Sequence, residues 1–485
     1  MHTPVLVGIS QLEQRIRDPE AAREPIDLMI GAVRAAAADA ECPALLEHAG
    51  SMRVIRGFWR YENPARAVCE AIGNTKAETA LTPFGGNYVQ AVVNRSALDI
   101  RSGRHDVIVM TGAECGYSQA RARRAGIKLK WRTIDGSPDL YIGKDGEMGH
   151  PAELGLGIRR ASQVYAIFET ARRHHLGEGV EEHLERISEL WAGFSRVAAD
   201  NPHAWIREAR SAEEIRTPSP ANRAVTFPYP KLMNANNNVD QAAALILCSE
   251  ARASALGIPR RKWVYPWSGT DGKDHYLASN RDSFHRSPAI RIAGSRALEL
   301  AGLTPDDLDH VDVYSCFPVA VQVAAAELGL DTARPLTVTG GLTFAGGPLN
   351  NYVMHSIARM AELLRASPGT HGFITANGGF LSTHAFGVYS TAPPAKGFRY
   401  ADPQREIDAA APPREVLSGH DGNAEVEGYC VVHGKSGPEV ANVALRLGGG
   451  ERAWANCTDI DTITAMHIEE FCGRTATVNG NTASF

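Results

Sequence analysis

Between Gly340 and Ser356 the chain reads G-G-L-T-F-A-G-G-P-L-N-N-Y-V-M-H-S. The glycines and Pro348 at its start continue neither a helix nor a central strand, so the stretch must be a tight, close-approach loop. From Asn350 onward, Val353, Ile357, Met360, Leu363 and Leu364 recur at helical spacing on one face. A glycine loop feeding a helix N-terminus offers backbone N–H groups and the positive end of the helix dipole, a place for an anionic oxygen. Pro83–Val93, P-F-G-G-N-Y-V-Q-A-V-V, repeats the arrangement. Both stretches carry Asn-Tyr-Val just inside the helix, at Asn87–Val89 and Asn351–Val353, 264 residues apart. A chain with this pattern contains a duplicated unit.

Length and charge narrow the class. The 485 residues fill roughly three ordinary domains. Net charge of −5 gives no electrostatic reason for nucleic acid or an anionic membrane as partner. No run of about 18 apolar residues is present, so no segment is expected to span a bilayer. The opening M-H-T-P-V-L-V-G lacks the charged and apolar regions of a secretory signal. The eight cysteines form no C-x-x-C pair, which argues against a metal cluster or a disulfide framework and for a reducing cytoplasm.

Taken in order, the chain alternates strand and helix patterns. Val5–Ser10 is β-branched, Pro25–Ala40 is helical, and Asp106–Gly112 is an apolar run suited to a strand buried on both faces. This rhythm predicts an α/β layered fold. From about 116 to 235 helical, charged and Pro-rich segments interrupt it, the pattern of an insertion lying over one face of the sheet. The rhythm resumes at Asn238–Ser249 and repeats through Trp263–Trp267, His310–Tyr314, Val319–Leu328, His371–Ala376 and Phe386–Ser390. Ala401–Pro413 reads as an exposed Pro/Ala linker. The alternating runs beyond it predict a small, mostly antiparallel β domain, a barrel.

The Gly340 loop, the strand Asp106–Gly112 and N-V-D-Q-A-A-A-L-I-L-C-S-E together resemble the thiolase family over residues 3–395. Within that family they are similar to the sterol-carrier-protein type and its type 1 thiolase-like group, which carries an added C-terminal β domain. The resemblance implies a duplicated five-layered αβαβα fold with an inserted loop domain. It divides the chain into a first half (1–255, insertion at about 116–235), a second half (256–398), a linker (399–413) and a barrel (414–485). It implies acyl-CoA as ligand, with no tightly bound cofactor and no metal. The assembly it implies is a homodimer through the sheet edge or a complex with a protein partner.

The catalytic positions depart from the family's pattern. The nucleophilic cysteine falls on Gly85 and the G-H-P histidine on Gly347. The family's N-E-A-F stretch is Tyr314-Ser315-Cys316-Phe317, and its second cysteine lies within Ala376-Asn377-Gly378-Gly379. An acyl-cysteine reaction is therefore not expected. The resemblance leaves Cys316 as a displaced nucleophile with His384 as its base, and Gly346, Gly347, Asn377 and Gly378 as an acyl-CoA pocket. Against that pair stands a Cys316 that is simply a small buried hydrophobe and a His384 hydrogen-bonded in a β turn. His355 reads as an interior contact, Tyr88 and Tyr352 as packing or lid residues over the vacated sites, and Cys115 as a structural thiol at the dimer edge. Two functions follow: an acyl-CoA-handling acyltransferase with shifted machinery, or a non-catalytic acyl-CoA-binding or complex-forming subunit.

Overall fold

The computed structural model describes residues 2–485. Four strands precede the insertion: β1 (Pro4–Glu13), β2 (Ser51–Val54), β3 (Glu78–Leu81) and β4 (Val107–Cys115). The insertion carries β5 (Leu140–Tyr141), β6 (Ala224–Phe227) and β7 (Tyr229–Pro230), and β8 (Asp240–Ser249) closes the first half. The second half contributes β9 (Tyr265–Lys273), β10 (His310–Asp312), β11 (His371–Gly378), β12 (Thr383–Ser390) and β13 (Arg399–Ala401).

The duplication is written in the pairing. The first sheet runs β1-β8-β4-β2-β3-β5 and the second β10-β11-β12-β9-β13. In each, the opening strand pairs antiparallel with the closing strand, which pairs antiparallel with a third strand that has a parallel neighbour. The sets are β1, β8, β4, β2 and β9, β12, β11, β10. β4 and β8 are buried along their whole length, as their unbroken apolar runs require. Helices Tyr88–Arg101 and Tyr352–Ala366 each start on the tyrosine of an Asn-Tyr-Val, touch each other and pack against both sheets. Helix Pro25–Asp39 covers the outer face of the first sheet and Ser295–Ala301 that of the second. That is the five-layered order.

The C-terminal strands are β14 (His420–His433), β15 (Pro438–Arg446), β16 (Arg452–Cys457), β17 (Thr475–Gly480) and β18 (Thr482–Ser484). They close as β14-β15-β16-β18-β17-β14, with helix Ile460–Ala465 between β16 and β17, the strand order of an OB-type barrel. Residues 414–485 hold five cations against ten carboxylates, so this barrel lacks the basic face of a nucleic-acid binder.

Three expectations need correcting. Residues 399–413 are not a loose linker: β13 pairs with β9, and helix Gln404–Ala410 seats Ile407 (2% exposed) near Gly272. Cys115 is buried, but β4 lies between β8 and β2, so it is nowhere near a sheet edge. The outer edge of the first sheet is β5, laid parallel along β3. Nor is the barrel structurally separate, because β6 of the insertion pairs with β14. Thr170 and Tyr429 exchange hydrogen bonds (2.8 and 2.9 Å), and Arg173 meets Glu470 at 3.0 Å. The buried Arg452 guanidinium donates to the carbonyls of Ser279 and Arg281, both at 2.6 Å. A chain ending at Pro413 is therefore expected to aggregate, since it would expose the apolar wall of Phe168 and Phe284 and strand Arg173 without its carboxylate. Soluble yield and size-exclusion of residues 1–413 beside the full chain check this. A monodisperse truncated protein that melts cooperatively near the full-length temperature would contradict it.

Candidate active site

Four loops converge where the two halves meet. The Gly85–Gly86 loop leads into one central helix, and the loop Gly346–Asn350 into the other. Tyr314–Phe317 follows β10, and Asn377–Gly379 closes β11. They are knitted together by polar contacts: the Gly85 N–H donates to Asn350 Oδ1 (3.1 Å), and the Asn350 amide donates to the Arg56 carbonyl (2.7 Å). The Gly85 N–H, in the loop that approaches this helix, is thus occupied by the chain's own asparagine.

The glycines here make room for neighbouring side chains. A Cβ on Gly85 would stand 2.6 Å from Asn87 Oδ1 and 2.9 Å from the Tyr88 ring. One on Gly86 would collide with the Tyr314 hydroxyl and the Asn377 carbonyl. Gly346 lies against Gln241, Gly347 faces Asn237 Oδ1, and Gly378 faces Asn87 Oδ1 and Thr383 Oγ1. Gly346, Gly347, Asn377 and Gly378 are all buried. The space lined by Asn377, Tyr314 and His384 amounts to about 10 Å³, one water's worth. Gly86→Ala is accordingly expected to cost about 1–3 kcal/mol, seen as a lower urea midpoint at unchanged slope. An unchanged midpoint would show that the loop yields.

Cys316 is 8% exposed and its thiol is pushed up to about 12 by burial, which outweighs the hydrogen bond from the Tyr165 hydroxyl. The Asn377 amide donates to its sulfur at 3.8 Å and to the Tyr165 hydroxyl oxygen at 3.0 Å. Tyr165 stacks on Phe317 with centroids 4.6 Å apart, closing the stretch from above. His384 is 3% exposed and is pushed down to about 4 by burial. Its Nε2 donates to the Leu381 carbonyl at 3.2 Å and lies 3.9 Å from Asp274. The structure thus brings Cys316, Asn377 and His384 to one place, but no hydrogen bond joins Cys316 to His384 among the described residues. The physical reason is register: Asn377 and His384 sit opposite each other on β11 and β12, and the amide, not the ring, reaches the sulfur.

The other residues singled out from the sequence are structural. Tyr352 is a core residue rather than a lid: its hydroxyl is 2.7 Å from Thr339 Oγ1 and donates to Asp312 at 3.1 Å. Tyr88 lies half-buried under the insertion and donates to the Lys144 carbonyl. His355 is buried with Nδ1 against Gln11 Oε1 (3.1 Å), and burial holds it near 3. Sequence reasoning missed Tyr165, because an aromatic in a helical stripe reads as core, and it quoted Tyr314 in the cysteine-bearing stretch without giving it a part. The glycines at 85 and 86 were the available signal that something large stands opposite.

A duplicated five-layered core, glycine loops at the paired central helices and a cysteine-bearing turn after β10 define a thiolase-type protein. No protein-family model matches the sequence. The crystal structure of a monomeric SCP2-thiolase-like protein type 1 from Mycobacterium smegmatis superposes with a TM-score of 0.84 at 30% identity, covering 100% of this chain and 99% of that one. The acetyl-CoA acetyltransferase of Methanothermobacter thermautotrophicus is 24% identical over 343 residues, 63% of this chain and 81% of its own. Human sterol carrier protein 2 is 26% identical over 295 residues, 53% of this chain and 48% of its own. The chain belongs to the SCP2-thiolase-like proteins of type 1, within the thiolase superfamily.

Proposed function

We propose that this protein binds coenzyme A thioesters on a thiolase framework without running the acyl-cysteine reaction, in the cytoplasm and in lipid metabolism. The observation that carries this reading is the space at Gly86. The Tyr314 hydroxyl and the Asn377 carbonyl fill it, and His384 nearby has its Nε2–H on the Leu381 carbonyl rather than on Cys316. Similarity to acetyl-CoA acetyltransferases supports the ligand class. The description of the Mycobacterium smegmatis neighbour as monomeric, together with β5 lying along β3, favours a single chain over a homodimer. Isothermal calorimetry with CoA and acetyl-CoA, run beside a thiolysis assay, tests it. The expected result is saturable binding without turnover; no binding at millimolar ligand would refute the proposal.

A further inference from the structure

A second site lies away from Cys316. Between Glu114 and Asp135 the chain carries six cations (Arg121, Arg123, Arg124, Lys128, Lys130 and Arg132) and no carboxylate, in a protein whose net charge is −5. The stretch folds as helix Gly116–Ala125 and an extended return, and it forms one wall of a cleft of about 870 Å³. The loop Phe58–Tyr61, after β2, forms the other wall.

The floor is rigid and aromatic. Trp59 stacks on Tyr61 with centroids 5.1 Å apart; its indole N–H donates to the Ala113 carbonyl (3.1 Å), and the Tyr61 hydroxyl donates to Glu24 (2.7 Å). Trp131 is half-buried against the core below, while Phe58 stands 65% exposed at the rim. The cations divide into two kinds. Arg132 is committed to Glu24 and Asp27. Arg60, Arg123 and Lys128 line the same cleft, are exposed, and meet no carboxylate among the described residues. Glu114, beneath the loop, is buried and accepts the Phe58 N–H at 2.7 Å, so it points away from the opening.

We infer that this cleft binds a nucleoside diphosphate, its phosphates held by Arg60, Arg123 and Lys128 and its base laid on Phe58 and Trp131. Guanidinium groups match phosphate oxygens in a planar, bidentate way. Aromatic faces accept a base with little regard to its identity. The volume falls in the range of small-ligand clefts, about 300–1,000 Å³. Cations and rings that face each other across a concavity suit a small molecule better than a flat membrane or an acidic polypeptide. Such a diphosphate has two sources: a free nucleotide, or the head group of coenzyme A. The Phe58 ring at the rim lies 5.4 Å from that of Phe84, the residue before Gly85, which links the cleft wall to the first glycine loop.

Calorimetry on the full chain with ADP, inorganic pyrophosphate and CoA tests the inference, alongside the variant Arg60→Ala/Arg123→Ala/Lys128→Ala. These side chains are exposed, and an unchanged melting curve verifies that the variant folds. ADP is expected to bind at least about tenfold more tightly than pyrophosphate, to quench Trp131 fluorescence relative to Trp131→Phe, and to weaken at least about tenfold in the triple variant. CoA that follows ADP through the variant identifies the head group as the source, while ADP binding without CoA binding identifies a free nucleotide. Pyrophosphate binding as well as ADP, ADP binding unaltered in the triple variant, or binding only to phosphatidylglycerol vesicles or acidic polypeptides would overturn it. CoA binding that survives the triple variant while ADP binding is lost leaves the acyl-CoA reading standing with a free nucleotide in this cleft; ADP binding without any CoA binding leaves this cleft and refutes the acyl-CoA reading.

Discussion

Thiolysis of acetoacetyl-CoA by the purified protein is expected to run at least about 10⁴-fold below a competent thiolase, the loss that follows when members of a catalytic unit are missing. Burial pushes the Cys316 thiol up to about 12, so the reactive thiolate is scarce there at pH 7. His384 has its Nε2–H on Leu381, and no hydrogen bond links it to the sulfur. Iodoacetamide should therefore leave Cys316 unlabelled between pH 7 and 9, and His384→Ala should not change that. Gly85→Cys should restore nothing: the side chain would press on Asn87 Oδ1 and the Tyr88 ring, and Gly347 supplies no base. A turnover of about 1 per second in the native protein, or fast alkylation of Cys316 that acyl-CoA blocks, would return the displaced Cys–His pair to consideration.

The fold was legible because its determinants are local and repeated. Two glycine-to-helix stretches sharing Asn-Tyr-Val predict two equivalent helices, and an unbroken apolar run predicts a strand buried on both faces. Helices beginning on Tyr88 and Tyr352, and buried β4 and β8, are those features realised. The site was legible only as far as chain position. Sequence placed Cys316, Asn377 and His384 in the converging loops, but which atoms meet depends on strand register and on side chains from distant segments. Asn377 opposes His384, and Tyr165 arrives from the insertion, more than 150 residues before Cys316. The glycines are the sharper lesson. A glycine loop serves a ligand or a close-packed neighbour equally well in sequence, and here Asn350, Tyr314 and Gln241 take the places. The 399–413 stretch misled for the related reason that Pro and Ala say nothing about Ile407, whose burial holds that helix down.

How the insertion is locked over this site yields the largest expected effect on stability. Glu169 is wholly buried on helix Ala161–Leu176, with His183 Nε2 (2.8 Å) and the Gln322 amide (2.6 Å) on one oxygen and the Tyr229 hydroxyl (2.6 Å) on the other. The opposite face of the His183 ring meets Glu178 at 2.5 Å, and Glu178 holds Arg186, which returns to Gln322 at 2.9 Å. Gln322 sits on the helix that follows Cys316, and Tyr229 packs on Phe317 at 5.4 Å, so this cluster pins the insertion to the cysteine-bearing turn. Burial alone would raise the Glu169 pKa, but the hydrogen bond and charge of His183, with Tyr229 and Gln322, outweigh it and hold the group below its ordinary value. Removing one partner of such a buried set leaves the others uncompensated, which costs about 3–5 kcal/mol. Glu169→Ala should therefore lower the unfolding free energy by that amount, read as a lower denaturant midpoint at unchanged slope. Because the folded value is depressed, the contribution of Glu169 is fully present above its unfolded pKa and is lost as pH falls through the folded one. The native protein should thus lose stability steeply as pH drops below about 4.5, while Glu169→Gln, which cannot titrate, should start lower at pH 7 and show a shallower acid slope. Chemical denaturation of the three proteins from pH 7 to 2 measures both effects. A Glu169→Ala midpoint indistinguishable from the native one, or identical acid slopes for native and Gln variants, would show that the cluster does not hold the insertion in place.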